Sequence, residues 1–175
     1  MKLIVYNLTN VINEVNAHQD GEMNLISIRD RYCFDSTAKK YTMLDQGIAK
    51  NNVNVLTMYF DDIDPYRFYH GMEHFSIKEK FADGKLKPVF FSKEHAIEIV
   101  DWVRKLWEKD HNVTIHVHCW AGRSRSQAVA YWLNMYFNLI LDRNMDDYLI
   151  NNALNVVEKI HFNCEVLRVF TTTFG

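Results

Sequence analysis

The stretch HVHCWAGRSRSQAVA, residues 116–130, places Cys119 at the end of an alternating apolar run and Arg125 six positions later. A short loop containing Gly122 lies between them, and the residues from Arg125 onward are typical of a helix. A strand that passes through a tight loop into a helix is the characteristic connection of α/β proteins. The stretch therefore predicts the fold class and brings a thiol and a guanidinium to the two ends of one turn.

Three other short runs are mostly apolar: residues 2–8 (KLIVYNL), 24–30 (NLISIRD) and 53–60 (VNVLTMYF). Together with residues 112–119 (NVTIHVHC) they form the candidate strands. Short apolar strands separated by helical segments favour a sheet that is largely parallel. We predict an α/β fold with a central, mostly parallel sheet of about four to five strands flanked by helices. No linker divides the chain, so residues 1–175 are expected to form a single domain.

The clearest helix is predicted over residues 92–110 (SKEHAIEIVDWVRKLWEKD), with Ser92 as its N-cap and apolar residues at steps of three and four. A second helix should begin within residues 122–139, and a third should span about residues 144–159. The segment 41–50 (YTMLDQGIAK) is ambiguous between helix and other structure.

A connection of about thirty residues, 61–91, is far longer than the usual loop. Long connections in small domains often form lids or binding loops, and this one contains four aromatic residues, Tyr66, Phe68, Tyr69 and Phe75. It can equally be a small helical insertion whose aromatic side chains pack together. The sequence leaves both interpretations open.

Composition narrows the classes of function. Apolar residues make up 48% of the 175 residues, which is enough for a folded core, and the net charge of −2 comes without a basic patch for nucleic acid. No apolar run approaches the roughly 18 residues that cross a bilayer, and the first residues do not form a secretory signal. The cysteines are few and odd in number: Cys33, Cys119 and Cys164. We expect a monomeric, cytoplasmic protein with reduced thiols.

The loop between Cys119 and Arg125 has the chemistry of an anion site. Backbone N–H groups that lead into a helix point toward a bound anion, and Gly122 allows the backbone to turn closely. Arg125 offers a fork of donors that matches two phosphate oxygens. The same positive field is expected to favour the thiolate, the nucleophilic form of Cys119. The predicted phosphate-binding residues are Trp120, Ala121, Gly122, Arg123, Ser124 and Arg125.

Residues 117–126, VHCWAGRSRS, resemble the active-site loop of the cysteine-dependent protein tyrosine phosphatases. The likeness is to the dual-specificity branch, whose pattern is His-Cys-x-x-Gly-x-x-Arg-Ser. It is tight over Cys119–Ser126 and loose over residues 53–137, while residues 26–30 (ISIRD) are similar to compact single-domain members from microbes and their viruses.

The resemblance implies a single-domain phosphatase fold and a two-step hydrolysis of phosphomonoesters without a cofactor. Cys119 would be the nucleophile and Arg125 would bind the phosphate, while Ser126 would donate a hydrogen bond to the sulfur. His118 would support the loop from behind. The expected substrate is a phosphorylated protein or peptide carrying phosphotyrosine, with or without phosphoserine and phosphothreonine.

The mechanism also calls for an acid that protonates the leaving group. In the family it is an aspartate just after the strand that precedes the long helix. Here that strand is followed by Asp61, Asp62 and Asp64. The alignment favours Asp62, and its two neighbours stay open.

Arg123 departs from the family pattern, in which many members carry a small apolar residue. AGRSRS also occurs in a branch that acts on phosphatidylglycerophosphate, so a phospholipid or other non-protein phosphomonoester is an alternative substrate, although Arg123 can also be a solvent-facing residue with no role. A second alternative is a phosphate-binding domain without turnover. It would usually lack the cysteine, the arginine or the acid.

Two patterns with metal-ligand residue types do not predict a metal site. Residues 70–74, HGMEH, match a zinc-peptidase pattern, but Gly71 weakens the helix which that pattern needs. His116, His118 and Cys119 are close in sequence, but strand alternation directs Cys119 away from the histidines. Pairing of Cys164 with Cys119 in a disulfide is left open.

Overall fold

The central element of the fold is a parallel β-sheet. The structure, a computed structural model, describes residues 1–18, 23–63, 65–70, 80–81, 84–141 and 163–174. These residues contain the strands β1 (Lys2–Tyr6), β2 (Asn24–Arg29), β3 (Asn54–Tyr59) and β4 (Thr114–His118). Their order in the sheet is β1-β4-β2-β3, and every neighbouring pair is parallel. The predicted α/β fold with a parallel sheet is confirmed, with strands at the four apolar runs.

Helices cover both faces of this sheet. Helices α1 (Leu8–Ala17) and α2 (Asp35–Lys50) pack on one face with their apolar side chains against one core cluster. On the other face lie α4 (Lys93–Trp107), α5 (Arg125–Asn134) and α6 (Cys164–Phe174), which share the larger cluster. The short helix α3 (Pro65–Tyr69) belongs to the long connection. All six residues of β2 are buried because this strand is central and covered on both faces.

The predicted helices that fall within the described residues are present. Helix α4 starts after Ser92, whose Oγ accepts a hydrogen bond from the backbone of His95, while His95 Nδ1 accepts one from the Ser92 N–H at 3.0 Å. His95 thus fills the place that Glu or Gln holds in the usual capping box. The second predicted helix is α5, which continues into a π-helix at Met135–Leu141. The third, at about residues 144–159, lies outside the described residues. Within the described ranges no helix has the length and apolar character needed to cross a bilayer.

In the described part of the long connection, aromatic side chains pack against one another. Phe68 of α3 contacts Phe81 and Phe90 edge-on, with ring centroids 5.8 and 6.0 Å apart. These contacts agree with the helical-insertion interpretation for this part of the connection. Phe75 and the side chain of Tyr66 lie outside the described residues.

Register brings the ends of three strands to one edge. Ser27 of β2 pairs with His118 of β4, and Arg29 of β2 pairs with Tyr59 of β3. The residues that follow these strands therefore lie next to one another at the carboxyl edge, where open parallel sheets bind their ligands.

Candidate active site

The loop from Cys119 to Arg125 connects β4 to α5 and is held from two sides. The backbone N–H of Leu8 donates to the carbonyl of Trp120 at 3.1 Å, and Gln127 Nε2 donates to the carbonyl of Gly122 at 3.1 Å. The Trp120 side chain is 55% exposed. The backbone of the loop is thus anchored both to the start of α1 and to the first turn of α5.

Gly122 is required by its conformation and by its neighbours. Its φ is +69°, in the left-handed region that L side chains rarely adopt. A Cβ at this position would lie 2.7 Å from the backbone nitrogen of Asn7 and 2.8 Å from the carbonyl of Tyr6. Because both contacts are with backbone, no side-chain rotation relieves them, and only glycine fits.

The candidate nucleophile lies at the base of this loop. Cys119 is 1% exposed, and its Sγ lies 3.1 Å from the Oγ of Ser126, in the first turn of α5. Ser124, the N-cap residue of α5, makes no side-chain hydrogen bond to the helix. Its hydroxyl donates instead to Asp62 Oδ1 at 2.7 Å. The Ser126 hydroxyl, by contrast, lies beside the Cys119 sulfur and is placed to stabilise negative charge on it.

Arg125 is 3% exposed and is fixed by one of its terminal nitrogens. Nη1 donates to Asp30 Oδ1 at 2.9 Å and to the carbonyl oxygen of Phe60 at 2.7 Å. Burial alone would lower the pKa of Arg125, but Asp30, followed by Cys119 and Asp62, raises it above its usual value. The guanidinium is therefore charged at all physiological pH.

A second nitrogen of the same guanidinium, Nε, has a different environment. The Nε of Arg125 is buried and has no hydrogen bond among the described residues. The Oδ2 of Asp62 lies 3.9 Å from this nitrogen, beyond hydrogen-bond distance. A buried charged donor without an acceptor is costly, and such groups mark places where a ligand completes the bonding. This N–H suits an oxygen of a bound anion.

Asp61 and Asp62, the two candidate acids that the structure describes, have different surroundings. Asp62 Oδ1 accepts hydrogen bonds from Ser124 Oγ at 2.7 Å and from Asn163 Nδ2 at 2.8 Å, and its side chain is 41% exposed. Asp61 is only 2% exposed and is bound to Lys80 Nζ at 3.0 Å and to the backbone N–H of Val89 at 2.9 Å. Asp62 thus lies at the loop, whereas Asp61 ties the long connection to the sheet.

Asp64, the third candidate acid, lies outside the described residues.

His118 is part of a buried network behind the loop. Its Nε2 lies 2.7 Å from Ser27 Oγ, which also accepts a hydrogen bond from Arg29 Nε at 2.9 Å. Arg29 pairs with both carboxylate oxygens of Asp45, at 2.5 and 3.1 Å. Burial, with Arg29 acting in the same direction, lowers the pKa of His118 to about 3. The imidazole is neutral at pH 7, which suits a supporting role rather than proton transfer.

Sequence reasoning missed two polar residues that contact the site. Asp30 holds Arg125 from the end of β2, and Asn163 holds Asp62 from the start of α6. Asp30 had a signal, because it follows a buried strand whose end should lie beside that of β4. Asn163 is 101 residues from Asp62 in sequence, and nothing in its local pattern indicated the contact.

The remaining predicted residues take the following places. Arg123 is exposed and Ala121 half-buried on the loop. No disulfide joins the cysteines, and Cys33 and Cys164 are exposed. Over the ranges that the structure describes, no three His, Cys, Asp or Glu side chains are grouped as a metal site would require.

The site combines a buried thiol, a charged guanidinium with an unused N–H, and a carboxylate tied to the loop. Such a set can bind a tetrahedral oxyanion, attack it and exchange a proton with its ester oxygen. Compared with known proteins, the chain matches no protein-family model and no curated protein sequence.

Proposed function

We propose that the protein is a cysteine-dependent phosphatase that hydrolyses phosphotyrosine in proteins or peptides, with or without phosphoserine and phosphothreonine. The observation that carries the proposal is the Arg125 guanidinium. Asp30 and Phe60 fix it through Nη1, and its buried Nε has no hydrogen-bond partner in the part of the chain that the structure describes. The residues of this loop also have the types and spacing of the phosphatase pattern His-Cys-x-x-Gly-x-x-Arg-Ser.

In the first step, the thiolate of Cys119 attacks phosphorus and the bond between phosphorus and the ester oxygen breaks. Asp62 delivers its proton to that oxygen, so the alcohol or phenol leaves neutral and a cysteinyl-phosphate remains. Arg125 and the loop amides stabilise the equatorial oxygens in the transition state.

In the second step, water attacks the phosphorus and gives a proton to the Asp62 carboxylate, which restores the acid. The bond between sulfur and phosphorus breaks, and inorganic phosphate leaves. Ser126, with its Oγ 3.1 Å from the sulfur, donates to the departing thiolate. No step requires a metal or an organic cofactor.

Hydrolysis of p-nitrophenyl phosphate and of a phosphotyrosine peptide in the presence of a chelator tests the proposal. Cys119→Ser should reduce turnover by on the order of 10⁴-fold or more, because it removes the nucleophile while the rest of the site stays. Mass spectrometry of acid-quenched enzyme should find phosphate on the Cys119 peptide. Full activity of the serine variant, or bound phosphopeptide without product release from the unmutated protein, would refute catalysis by this cysteine.

The reactivity of Cys119 gives a second measurement with internal controls. Although Cys33 and Cys164 are exposed and Cys119 is buried, iodoacetamide should modify Cys119 first, because the proposed nucleophile is the most reactive of the three sulfurs. Vanadate should protect Cys119 alone. Modification in order of exposure would contradict an activated thiol.

A phospholipid or other non-protein phosphomonoester is the second candidate substrate, and Arg123 favours it. This residue is exposed on the loop, where a further cation suits a substrate with additional negative charge. The test compares kcat/KM for phosphotyrosine peptides with kcat/KM for dispersions of phosphatidylglycerophosphate. Both substrates are measured with the unmutated protein and with the Arg123→Ala variant. The lipid activity should fall more in the variant if Arg123 reads the second charge.

A further inference from the structure

Asn163 makes two hydrogen bonds that point in different directions. Its Oδ1 accepts from the backbone N–H of Val166 at 3.0 Å, and its Nδ2 donates to Asp62 Oδ1 at 2.8 Å. The residue is 8% exposed and directly precedes α6. One amide side chain therefore caps a helix with its oxygen and holds the candidate acid with its nitrogen.

The cap fixes where the Nδ2 group points. A helix leaves its first N–H groups unsatisfied, and an Asn side chain at the N-cap satisfies one of them, which sets the orientation of the amide. Helix α6 is itself held in the core, where Phe170 stacks on Trp132 with ring centroids 4.5 Å apart. The donor that reaches Asp62 is thus attached to a rigid element.

Asp62 needs such a restraint because it follows a strand on a partly exposed segment. Ser124 and Asn163 donate to the same oxygen, Oδ1, from two different elements. The lone pairs of Oδ1 are then occupied, so a proton on this carboxyl resides on Oδ2. Oδ2 is the oxygen that faces the Arg125 Nε, at 3.9 Å. The proton is accordingly directed to the side where the phosphate would bind.

We propose that Asn163 is a positioning residue for catalysis, which keeps Asp62 turned so that Oδ2 delivers the proton to the leaving group. This inference rests on the proposed phosphatase function. If Asn163 only capped α6, it would need its Oδ1 and not its Nδ2. Substitutions that keep the cap but remove the Nδ2 donor therefore distinguish a capping role from a positioning role.

Asn163→Ser and Asn163→Thr test the role, since Ser and Thr are both preferred N-cap residues and α6 should keep its cap. Their shorter side chains can cap the helix but do not reach Asp62, and neither adds a charge beside it. The urea midpoint of both variants should stay close to that of the unmutated protein. Their kcat for phenyl phosphate should fall about 10-fold or more, because misdirected proton donors lose much of their effect.

The leaving group supplies the readout that a structural role would not change. With p-nitrophenyl phosphate, whose leaving group needs little protonation, kcat should change less than about 3-fold. Inhibition by inorganic phosphate should also be unchanged. In an Asp62→Asn background, the Asn163 substitutions should have no further effect on phenyl phosphate, because the group they position is gone.

Three results would overturn the inference in an active enzyme: equal losses on both esters, no loss on phenyl phosphate, or the same loss in the Asp62→Asn background. A protein that hydrolyses neither ester fails at the proposed function itself, and the inference fails with it. The activity of the unmutated protein therefore shows which of the two claims is at fault.

Discussion

The Ser124 hydroxyl donates to Asp62 Oδ1 at 2.7 Å, so the candidate acid is bonded to the loop that would hold the phosphate. The two residues are 62 positions apart in sequence: Asp62 follows β3, and Ser124 is the N-cap residue of α5. A proton donor fixed to the anion-binding loop has a defined distance to the bound ester, which is what general acid catalysis requires.

The effect on kcat of substituting Asp62, the candidate acid, should depend on the leaving group. Asp62→Asn is expected to lower kcat for phenyl phosphate by about 10²–10⁴-fold, because its phenolate leaves slowly without a proton. The loss for p-nitrophenyl phosphate should be much smaller. Steady-state kinetics on a series of aryl phosphates measures the effect.

Asp61→Asn is the matched control, since the two aspartates are adjacent and differ in what they bind. It removes the charge of the buried Asp61 from its pair with the half-buried Lys80 and should cost about 1–3 kcal/mol in the free energy of unfolding. Its kinetic loss should not vary with the leaving group. A leaving-group-dependent loss in Asp61→Asn, and none in Asp62→Asn, would reverse the assignment.

Asp30 should act through Arg125 on phosphate affinity. Asp30→Asn replaces the carboxylate 2.9 Å from Arg125 Nη1 with a neutral amide, so the hydrogen bond to this nitrogen loses its charge and weakens. A less restrained guanidinium should weaken inhibition by vanadate or phosphate about 10-fold, equivalent to about 1.4 kcal/mol. Inhibition constants and KM report the change.

Asp45→Asn provides the comparison for Asp30, because it also removes an acid from a buried arginine, here Arg29. It should lower stability without changing the inhibition constants. Equal effects of the two substitutions on vanadate inhibition would mean that neither acid acts specifically on the phosphate site.

The parts of the structure that could be predicted from the sequence were those with a pattern among neighbouring residues. The four strands and helix α4 follow from apolar spacing, and the loop follows from the residue types between Cys119 and Arg125. The contacts of Asp30 and Asn163 could not be obtained in this way, because each joins positions about a hundred residues apart and depends on how the layers pack.

Helix α2 shows why one local pattern was ambiguous. Gly47 lies inside the helix, where it lowers helix propensity by about 1 kcal/mol. A Cβ there would lie 2.9 Å from side-chain atoms of Val15 and Asn16 in α1. The glycine therefore serves the close approach of two helices, which is a tertiary requirement that the local sequence does not reveal.

Gly122→Ala should impair both stability and phosphate binding. The substitution combines the cost of a left-handed conformation, about 1–2 kcal/mol, with backbone contacts below 3 Å to Tyr6 and Asn7. The loop must move, so vanadate binding should be lost. Thermal unfolding and vanadate titration measure the two effects.

Gly84→Ala is the control for the conformational cost alone. Gly84 has φ +67°, close to that of Gly122, but a Cβ there would meet nothing within 4 Å. It should lower stability by about 1–2 kcal/mol and leave vanadate affinity unchanged. Similar stability losses in the two variants would show that the contacts with Tyr6 and Asn7 are easily relieved.

Two histidines with lowered pKa values, the buried His118 and the half-buried His116, should make the protein less stable in acid. Burial lowers the pKa of His118 to about 3 and that of His116 to about 4, against an ordinary value near 6.5. Between those values the unfolded chain binds more protons than the folded one, so the free energy of unfolding rises with pH and levels off above about 6.5. Each histidine contributes a slope of up to about 1.4 kcal/mol per pH unit, and urea unfolding between pH 5 and 7.5 measures it. His116→Gln and His118→Gln should each flatten the curve, and curves parallel to that of the unmutated protein would mean that these imidazoles take up protons in the folded state.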